Sequence, residues 1–317
     1  MWRRERVIRG PERPTVVDID PLNKIFSHAF TDRYRRDGMP GVRVPHLNDL
    51  VWRFALESAG RGAMVWRDKS DEIVAFNLAH RSGVEGWMGP LAVRPDRQGE
   101  GLGRQIVQAG IEWLTAQSAR TIGLETMPRT VDNIGFYSRL GFRPGHLTVT
   151  VARAPEPNST PGCTRLSRES APAAAIDECN ALTGRVAAGR TFEHEIRLTG
   201  ELGIGDTTLY RRDGALAAFA LWHITPLAQG RPTEDLRVLK LVAEDPPAMH
   251  AVLGAVESVA DADGAERVTV RCQTAQGEAY ASLVAAGWQA HWTDLRMTLS
   301  GFPEQPTAGI LFSNWEI

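Results

Sequence analysis

Cysteine is scarce in this chain of 317 residues. Only Cys163, Cys179 and Cys272 are present, an odd number with no spacing typical of metal ligands. This scarcity argues against a disulfide-stapled fold and against a cysteine-bound metal centre. It suits reducing surroundings, so we expect a cytoplasmic protein with no metal.

Net charge and long apolar runs are lacking as well. The formal net charge is −2 and the mean hydropathy is −0.24, so there is no basic field of the kind that attracts nucleic acid or an anionic membrane. No uninterrupted apolar run is long enough to cross a bilayer. The basic segment 1–6 is not followed by the apolar stretch of a secretory signal. We therefore expect neither nucleic acid nor a membrane as a partner.

The apolar content is sufficient for two domains of ordinary size. Hydrophobic residues make up 43% of the chain, and the proline-rich segment 154–162 has no apolar pattern. We expect a first domain at 1–153, a linker at 154–162 and a second domain at 163–317. Each is predicted to be an α/β domain with a mixed, largely antiparallel sheet flanked by helices.

One stretch of the first domain indicates a phosphate cradle. A short apolar run from Met88 to Val93 is typical of a buried strand, and Pro95 ends it. Glycines follow at 99, 101 and 103, and the apolar spacing is helical from Arg104 to Ala116. A strand, a glycine loop and a helix start direct backbone N–H groups and the positive end of the helix dipole towards an anion.

Two well-known glycine loops do not match this stretch. A P-loop requires Lys and Ser or Thr after its last glycine, and Arg104 and Gln105 stand there. The dinucleotide fingerprint requires a third small residue where Arg104 or Ile106 stands. The spacing that does match is Gln98-x-x-Gly101-x-Gly103.

This spacing resembles the acyl-CoA loop of the GNAT superfamily of N-acyltransferases. The preceding Leu91-Ala-Val-x-Pro-Asp and the later Phe136-Tyr137-Ser-Arg-Leu-Gly141-Phe142 strengthen the resemblance. It implies a primary-amine substrate, a small molecule or a peptide, and acetyl-CoA as cosubstrate. We expect the protein to be a monomer or a homodimer. It also implies that the backbone of Leu91, Ala92 and Val93 binds the pantetheine arm. Seven consecutive loop residues are then expected to hold the pyrophosphate: Gln98, Gly99, Glu100, Gly101, Leu102, Gly103 and Arg104.

The resemblance also indicates catalytic groups. Tyr137 stands where GNAT proteins commonly keep a tyrosine that protonates the CoA sulfur, and a phenol is protonated at neutral pH. Asn133 is a candidate CoA contact, although many family members carry the asparagine at the position of Thr130. Glu125, on a predicted strand beside the thioester, is a candidate base, and His80 and Glu85 are weaker ones. A water chain that deprotonates the amine is an equal alternative.

The second domain repeats the plan of the first. Gln276-x-x-Ala279-x-x-x-Leu283-x-x-x-Gly287 has the spacing of Thr130-x-x-Asn133-x-x-x-Tyr137-x-x-x-Gly141, and both intervals are 11 residues (287 − 276 and 141 − 130). Two prolines and two carboxylates stand where a second CoA loop would be, and Leu283 replaces the tyrosine. This copy is therefore expected to have lost CoA binding.

Three readings of the function follow. The leading one is an N-acetyltransferase with a single working site in the first domain. A second is a CoA-binding sensor or partner-binding module without turnover. In a third, the second domain binds a protein or peptide that the first domain modifies. Other expectations concern the fold: a loop at 32–42, a helix from Ala173 to Leu182, and a docked last strand within 309–317.

Overall fold

The first half of the chain combines strands and helices, as predicted for an α/β domain. The computed structural model of the protein describes residues 8–157 and 160–315. The strands of the first half are β1 Ile8–Glu12, β2 Ala63–Asp68, β3 Ile73–Ser82, β4 Glu85–Val93, β5 Thr121–Thr126 and β6 Phe142–Arg153. Its helices are α1 Ile19–Arg36, α2 Asp49–Ala59, α3 Leu102–Ala116 and α4 Val131–Arg139.

The second half repeats this order and adds one strand. Its strands are β7 Cys163–Arg165, β8 Gly205–Arg212, β9 Ala215–His223, β10 Asp235–Ala243, β11 Arg267–Gln273, β12 Gln289–Leu299 and β13 Ile310–Ser313. Its helices are α5 Pro172–Val186, α6 Glu193–Leu202, α7 Pro246–Ala262 and α8 Gly277–Ala285. The docked last strand is confirmed as β13, while the final two residues lie outside the described part of the chain.

Two expectations about local structure were wrong or incomplete. The segment from 32 to 36 is helical rather than a loop, because Asp32 and Arg36 form an ion pair of 2.7 Å one turn apart on α1. Helix α6 has no counterpart among the sequence predictions. Its buried residues are Glu195, Ile196, Leu198 and Thr199, of which only two are apolar, so the helix lacks a clear apolar pattern in the sequence.

All thirteen described strands form one continuous sheet. The order is β1-β2-β3-β4-β5-β12-β6-β11-β10-β9-β8-β7, with β13 beside β10. The pairs β4–β5 and β10–β11 are parallel, and the other pairs are antiparallel. The order is nearly symmetric about its centre, as expected for two similar halves.

The two halves exchange their last long strands. Strand β12, from the second half, pairs with β5 of the first half, and β6, from the first half, pairs with β11 of the second. The cores follow the exchange: Met297 of β12 packs in the core of the first half, and Val149 and Val151 of β6 pack in that of the second. Each half therefore depends on the other to complete its sheet.

Helices cover both faces of the sheet in the first half. Helices α1 and α2 pack on one face, against Val65 and Phe76, and α3 and α4 pack on the other. Helix α3 lies very close to the sheet, because a Cβ on Gly110 would come within 2.4 Å of Met88 Sδ. The glycine lets the helix reach the position from which its N-terminus faces the cleft described below.

Candidate active site

Strands β4 and β5 separate at the centre of the first half. Their parallel pairing ends at Met88 and Leu124, and a bulge at Gly89 and Pro90 follows on β4. From Leu91 to Val93, β4 pairs only with β3 among the described strands. The backbone of Leu91–Val93 is therefore accessible from the cleft between the separated strands, on the side where the pantetheine arm was predicted.

The glycine loop closes the end of this cleft. Gly99 and Gly101 have φ values of +79° and +86°, which an L side chain rarely adopts. Within the described chain, the backbone N–H groups of Gly99, Gly101, Leu102 and Gly103 donate no hydrogen bond. Helix α3 begins at Leu102, so these donors lie at its positive end. The Leu102 side chain is buried, which leaves only its backbone N–H to contact a ligand.

Ion pairs within the loop hold its shape. Arg97 is buried and contacts Glu100 at 3.2 Å and Asp68 at 3.6 Å. The carboxamide of Gln98 donates to the Val93 carbonyl at 3.1 Å. Arg104 is exposed and forms no ion pair with any described residue. Arg104 is thus a cation with no ion-pair partner among the described residues, and it lies next to the free amides of the loop.

A cavity of about 440 Å³ lies against the loop. Its walls are the loop, β4, α4 and the C-terminal part of α1, with Arg33, Arg36 and Arg104 on its rim. Arg33 and Arg36 are paired with aspartates of their own helix or its end. The free amides, the glycines and the positive rim fit the pyrophosphate of an acyl-CoA, and the split strands fit its pantetheine arm.

A second cavity, of about 320 Å³, continues towards the second half. Five residues line both cavities and mark the junction: Phe30, Arg33, Leu91, Asn133 and Tyr137. The Tyr137 hydroxyl makes no hydrogen bond to a described residue, and burial raises the pKa of Tyr137 above its ordinary value. The phenol is therefore protonated throughout the physiological range. Asn133 Nδ2 donates to Thr126 Oγ1 at 3.4 Å.

Glu125 lies in the second cavity with both carboxylate oxygens engaged. Oε1 accepts from Arg296 and from Thr148, each at 2.6 Å, and Oε2 accepts from Arg271. Burial alone would raise the pKa of Glu125, but the two guanidinium groups outweigh it and the pKa is lowered. A lowered pKa makes a carboxylate a weaker base. These contacts favour a role in which Glu125 holds the two arginines.

Several residues of the second cavity arrive on the exchanged strand β12, and the sequence analysis did not find them. Trp292, Asp294 and Arg296 all line the cavity. Asp294 Oδ2 accepts from Arg271 at 2.9 Å, and burial raises the pKa of Asp294 despite that arginine. No signal in the sequence links these residues to the first half. Arg271, on β11 of the second half, lines the same cavity.

His80 is engaged at both ring nitrogens. Nε2 lies 3.1 Å from the Gly89 carbonyl and Nδ1 lies 3.3 Å from Ser58 Oγ. The ring is 1% exposed and stacks on Trp315 with 4.2 Å between centroids. Burial, with a smaller contribution from the Lys240 charge, lowers the pKa of His80 to about 3. These features fit a structural histidine and not a base.

The corresponding cleft in the second half is closed. Asp245 caps α7 by accepting from the Ala248 N–H at 2.9 Å, and Pro246 and Pro247 supply no donors there. Strand β13 pairs with residues 240–243 of β10, which correspond to the cleft-facing end of β4. The protein thus fills with its own backbone the place where a second pantetheine arm would bind.

Within residues 8–157 and 160–315, no cluster of His, Cys, Asp or Glu is arranged to hold a metal ion. In the same part of the chain, no helix is both long enough and apolar enough to span a bilayer.

A split parallel strand pair with a glycine loop at a helix N-terminus is the arrangement typical of the GNAT fold, and here it is found in one of two tandem halves. Residues 22–142 match the model of the acetyltransferase (GNAT) family. The matched segment of the first half is thus of the GNAT family, and the chain as a whole consists of two GNAT-like halves in tandem. The family uses acyl-CoA as the donor in acyl transfer.

Known proteins resemble the chain in sequence and in fold. Serotonin N-acetyltransferase 2, chloroplastic, from Oryza sativa subsp. japonica is 29% identical over 130 residues, which are 40% of this chain and 58% of that protein. The chain spans little more than half the length of the curated relatives it matches. A crystal structure from Pyrococcus horikoshii has a TM-score of 0.69 at 16% identity, covering 98% of this chain and 95% of that one.

A second structure supports the tandem arrangement. A tandem GNAT protein from the clavulanic acid biosynthesis pathway, in a structure without AcCoA, has a TM-score of 0.61 at 12% identity. The structural alignment covers 95% of this chain and 100% of that protein. These likenesses concern the fold.

Proposed function

We propose that the protein is an N-acetyltransferase that transfers the acetyl group of acetyl-CoA to the primary amine of a small molecule or peptide, at a single site in the first half. The observation that carries the proposal is the junction at Tyr137, where the cavity beside the glycine loop meets a second cavity with acidic and aromatic walls. The counterpart cleft in the second half is occupied by β13.

The chain's own residues would hold the donor as follows. Backbone groups of Leu91–Val93 would bind the pantetheine arm, and the free amides of the glycine loop would bind the pyrophosphate with help from Arg104. When bound, acetyl-CoA supplies a thioester whose carbonyl is attacked by the amine. Asn133 lies near the same junction and is retained as a candidate contact.

Tyr137 is the proposed hydrogen-bond donor to the departing sulfur. Its hydroxyl is uncommitted within the described chain, and its raised pKa keeps the proton on oxygen. A phenol with a raised pKa is a weaker acid, so its donated hydrogen bond would matter more than complete proton transfer. The residue therefore stabilises the negative charge that develops on sulfur.

Asp294 is the proposed acceptor of the proton that the amine must lose. Its pKa is raised by burial, in contrast with that of Glu125, and a carboxylate with a raised pKa is the better base. Glu125 would keep Arg271 and Arg296 in place around it. A direct catalytic role for Glu125 stays a prediction from the sequence.

The walls of the second cavity suit an amine on a flat apolar body. Seven aromatic side chains line it: Phe26, Phe30, Tyr34, Trp87, Tyr137, Trp292 and Trp315. Aromatic walls bind planar apolar groups, and the carboxylate of Asp294 attracts an ammonium before it loses its proton. The relative named for serotonin acetylation agrees with this preference.

The alternative is a CoA-binding sensor without turnover. Release of free thiol from acetyl-CoA, measured over a panel of arylalkyl, aliphatic and peptide amines, separates the two. We expect turnover with at least one arylalkylamine, and Asp294→Asn should reduce it with little change in CoA affinity. Tight CoA binding without thiol release from any amine would favour the sensor.

A further inference from the structure

The second cavity, proposed above to hold the amine substrate, is called the acceptor pocket below. A third cavity lies between the two halves, and Arg296 lines both it and the acceptor pocket. Its volume is about 520 Å³, and it is lined by the start of β4, the loop before α6 and the segment 304–313 that leads into β13. Nothing in the proposed acyl transfer uses it. We propose that this cavity is a binding site for a free α-amino acid.

The floor of the cavity holds a buried ion pair with unused hydrogen-bonding capacity. Glu85 and Arg190 are 3% and 5% exposed, and Arg190 Nε lies 3.5 Å from Glu85 Oε1. Arg190 Nη2 donates to the Gln305 carbonyl at 3.0 Å. In the described chain, Arg190 Nε and Nη1 and Glu85 Oε2 have no hydrogen-bond partner. Leaving such buried charged groups unsatisfied is costly, so the site calls for a polar occupant.

The charges around the cavity select the class of ligand. Glu85 balances Arg190, and Glu304 accepts from Arg296 Nε at 3.0 Å. An anion or a cation alone would bring an uncompensated charge to this balanced floor. A zwitterion supplies a carboxylate for the free nitrogens of Arg190 and an ammonium for the free oxygen of Glu85. The volume accommodates a small amino acid with room for water.

The cavity is also accessible and close to the proposed chemistry. His146, Pro306 and Ala308 are exposed at its mouth. Its wall includes Arg296, whose Nη1 donates to Glu125 in the acceptor pocket at 2.6 Å. A ligand in this cavity would therefore contact Arg296, which is hydrogen-bonded to Glu125. Through this arginine, ligand binding could alter the position of Glu125 in the acceptor pocket.

The test measures binding to the full chain and needs no turnover, so its result is independent of the proposed acetyl transfer. Thermal unfolding and calorimetry are run with glycine, L-serine and L-glutamine, with ethanolamine as an amine-only probe and propionate as a carboxylate-only probe. We expect at least one amino acid to raise Tm by several degrees at saturation and both single-charge probes to have no effect.

Two kinds of variant keep the test decisive. Arg190→Gln should weaken amino-acid binding at least tenfold, but it leaves Glu85 buried without its partner and risks misfolding. Ala275→Trp fills the exposed mouth without touching the ion pair and should abolish binding, while Ala281→Trp, on an exposed position of α8 outside the cavity, should not. Absence of binding by every amino acid, equal binding of a single-charge probe, or unchanged binding in Ala275→Trp would overturn the proposal.

Discussion

Replacement of His80 by glutamine should remove a large part of the acid sensitivity of this fold. The folded chain keeps the imidazole neutral, with a pKa of about 3, whereas the unfolded chain has an ordinary histidine pKa of about 6.5. Between these two values the unfolded state binds the proton and the folded state does not. Stability is therefore fully present above the unfolded pKa and is lost as pH falls towards the folded pKa.

The magnitude follows from the size of the shift. A difference of about 3.5 pKa units is worth about 5 kcal/mol at 1.36 kcal/mol per unit. Between pH 7 and pH 4 only part of this is realised, because pH 4 still lies about one unit above the folded pKa, and the expected loss is about 3 kcal/mol. A glutamine is neutral at both pH values and retains a donor for the Gly89 carbonyl.

The assay is urea unfolding of the wild type, His80→Gln and His28→Gln at intervals between pH 4 and pH 8. His28 is an exposed residue of α1, so its replacement controls for the loss of a histidine as such. The carboxylates titrate in all three proteins and cancel in the difference. We expect the wild type and His28→Gln to lose about 3 kcal/mol more than His80→Gln on acidification. Parallel curves for all three would show that His80 titrates normally, and the reasoning about its burial would fail.

Three further predictions concern the site and the strand exchange. Gly101→Val should abolish CoA binding, measured by calorimetry, because the side chain enters the cavity and strains a left-handed residue, while Gly203→Val, at the left-handed cap of α6, should leave one CoA bound per chain. Tyr137→Phe should lower kcat by about 10²-fold, near the lower end of general-acid effects, with the Kd for CoA nearly unchanged; an unchanged kcat with chemistry rate-limiting would reduce Tyr137 to a packing residue. The isolated fragment 1–157 should aggregate on gel filtration and show no thiol release, since β5 loses β12; a soluble, fully active monomer would contradict this.

Local features of the site could be predicted from the sequence, because each depends only on residues that are neighbours along the chain. The glycines at 99 and 101 are required by positive φ values, and the helix they precede begins within two residues of the expected Arg104. The absence of a second CoA loop was equally predictable. Pro246 and Pro247 have no backbone N–H to donate, and the carboxylate of Asp245 would repel a phosphate. Spacing and residue type suffice where the structure is local.

The strand exchange could not be predicted from local sequence patterns. Strands β6 and β12 each follow a short helix and a glycine at corresponding places of the two copies, so either could complete either sheet on the evidence of its pattern. The choice is made by packing of side chains such as Met297 and Val151 in the partner's core, which a single sequence does not reveal. Asp294, Arg296 and Trp292 were missed for the same reason, since all three reach the acceptor pocket on β12.

The exchange gives the second copy a structural role beside the first. Glu125 and Arg271 occupy equivalent positions of the two copies, since both they and the repeated glycines Gly141 and Gly287 are 146 residues apart (271 − 125 and 287 − 141). The two side chains form an ion pair with each other across the centre of the sheet. The second copy has thus lost the donors of a CoA loop while keeping, at the equivalent position, the cation that fixes the carboxylate of the first. Its contribution to the proposed chemistry is then to build half of the acceptor pocket, and mutations on β11 and β12 should alter amine selectivity while leaving the CoA loop untouched.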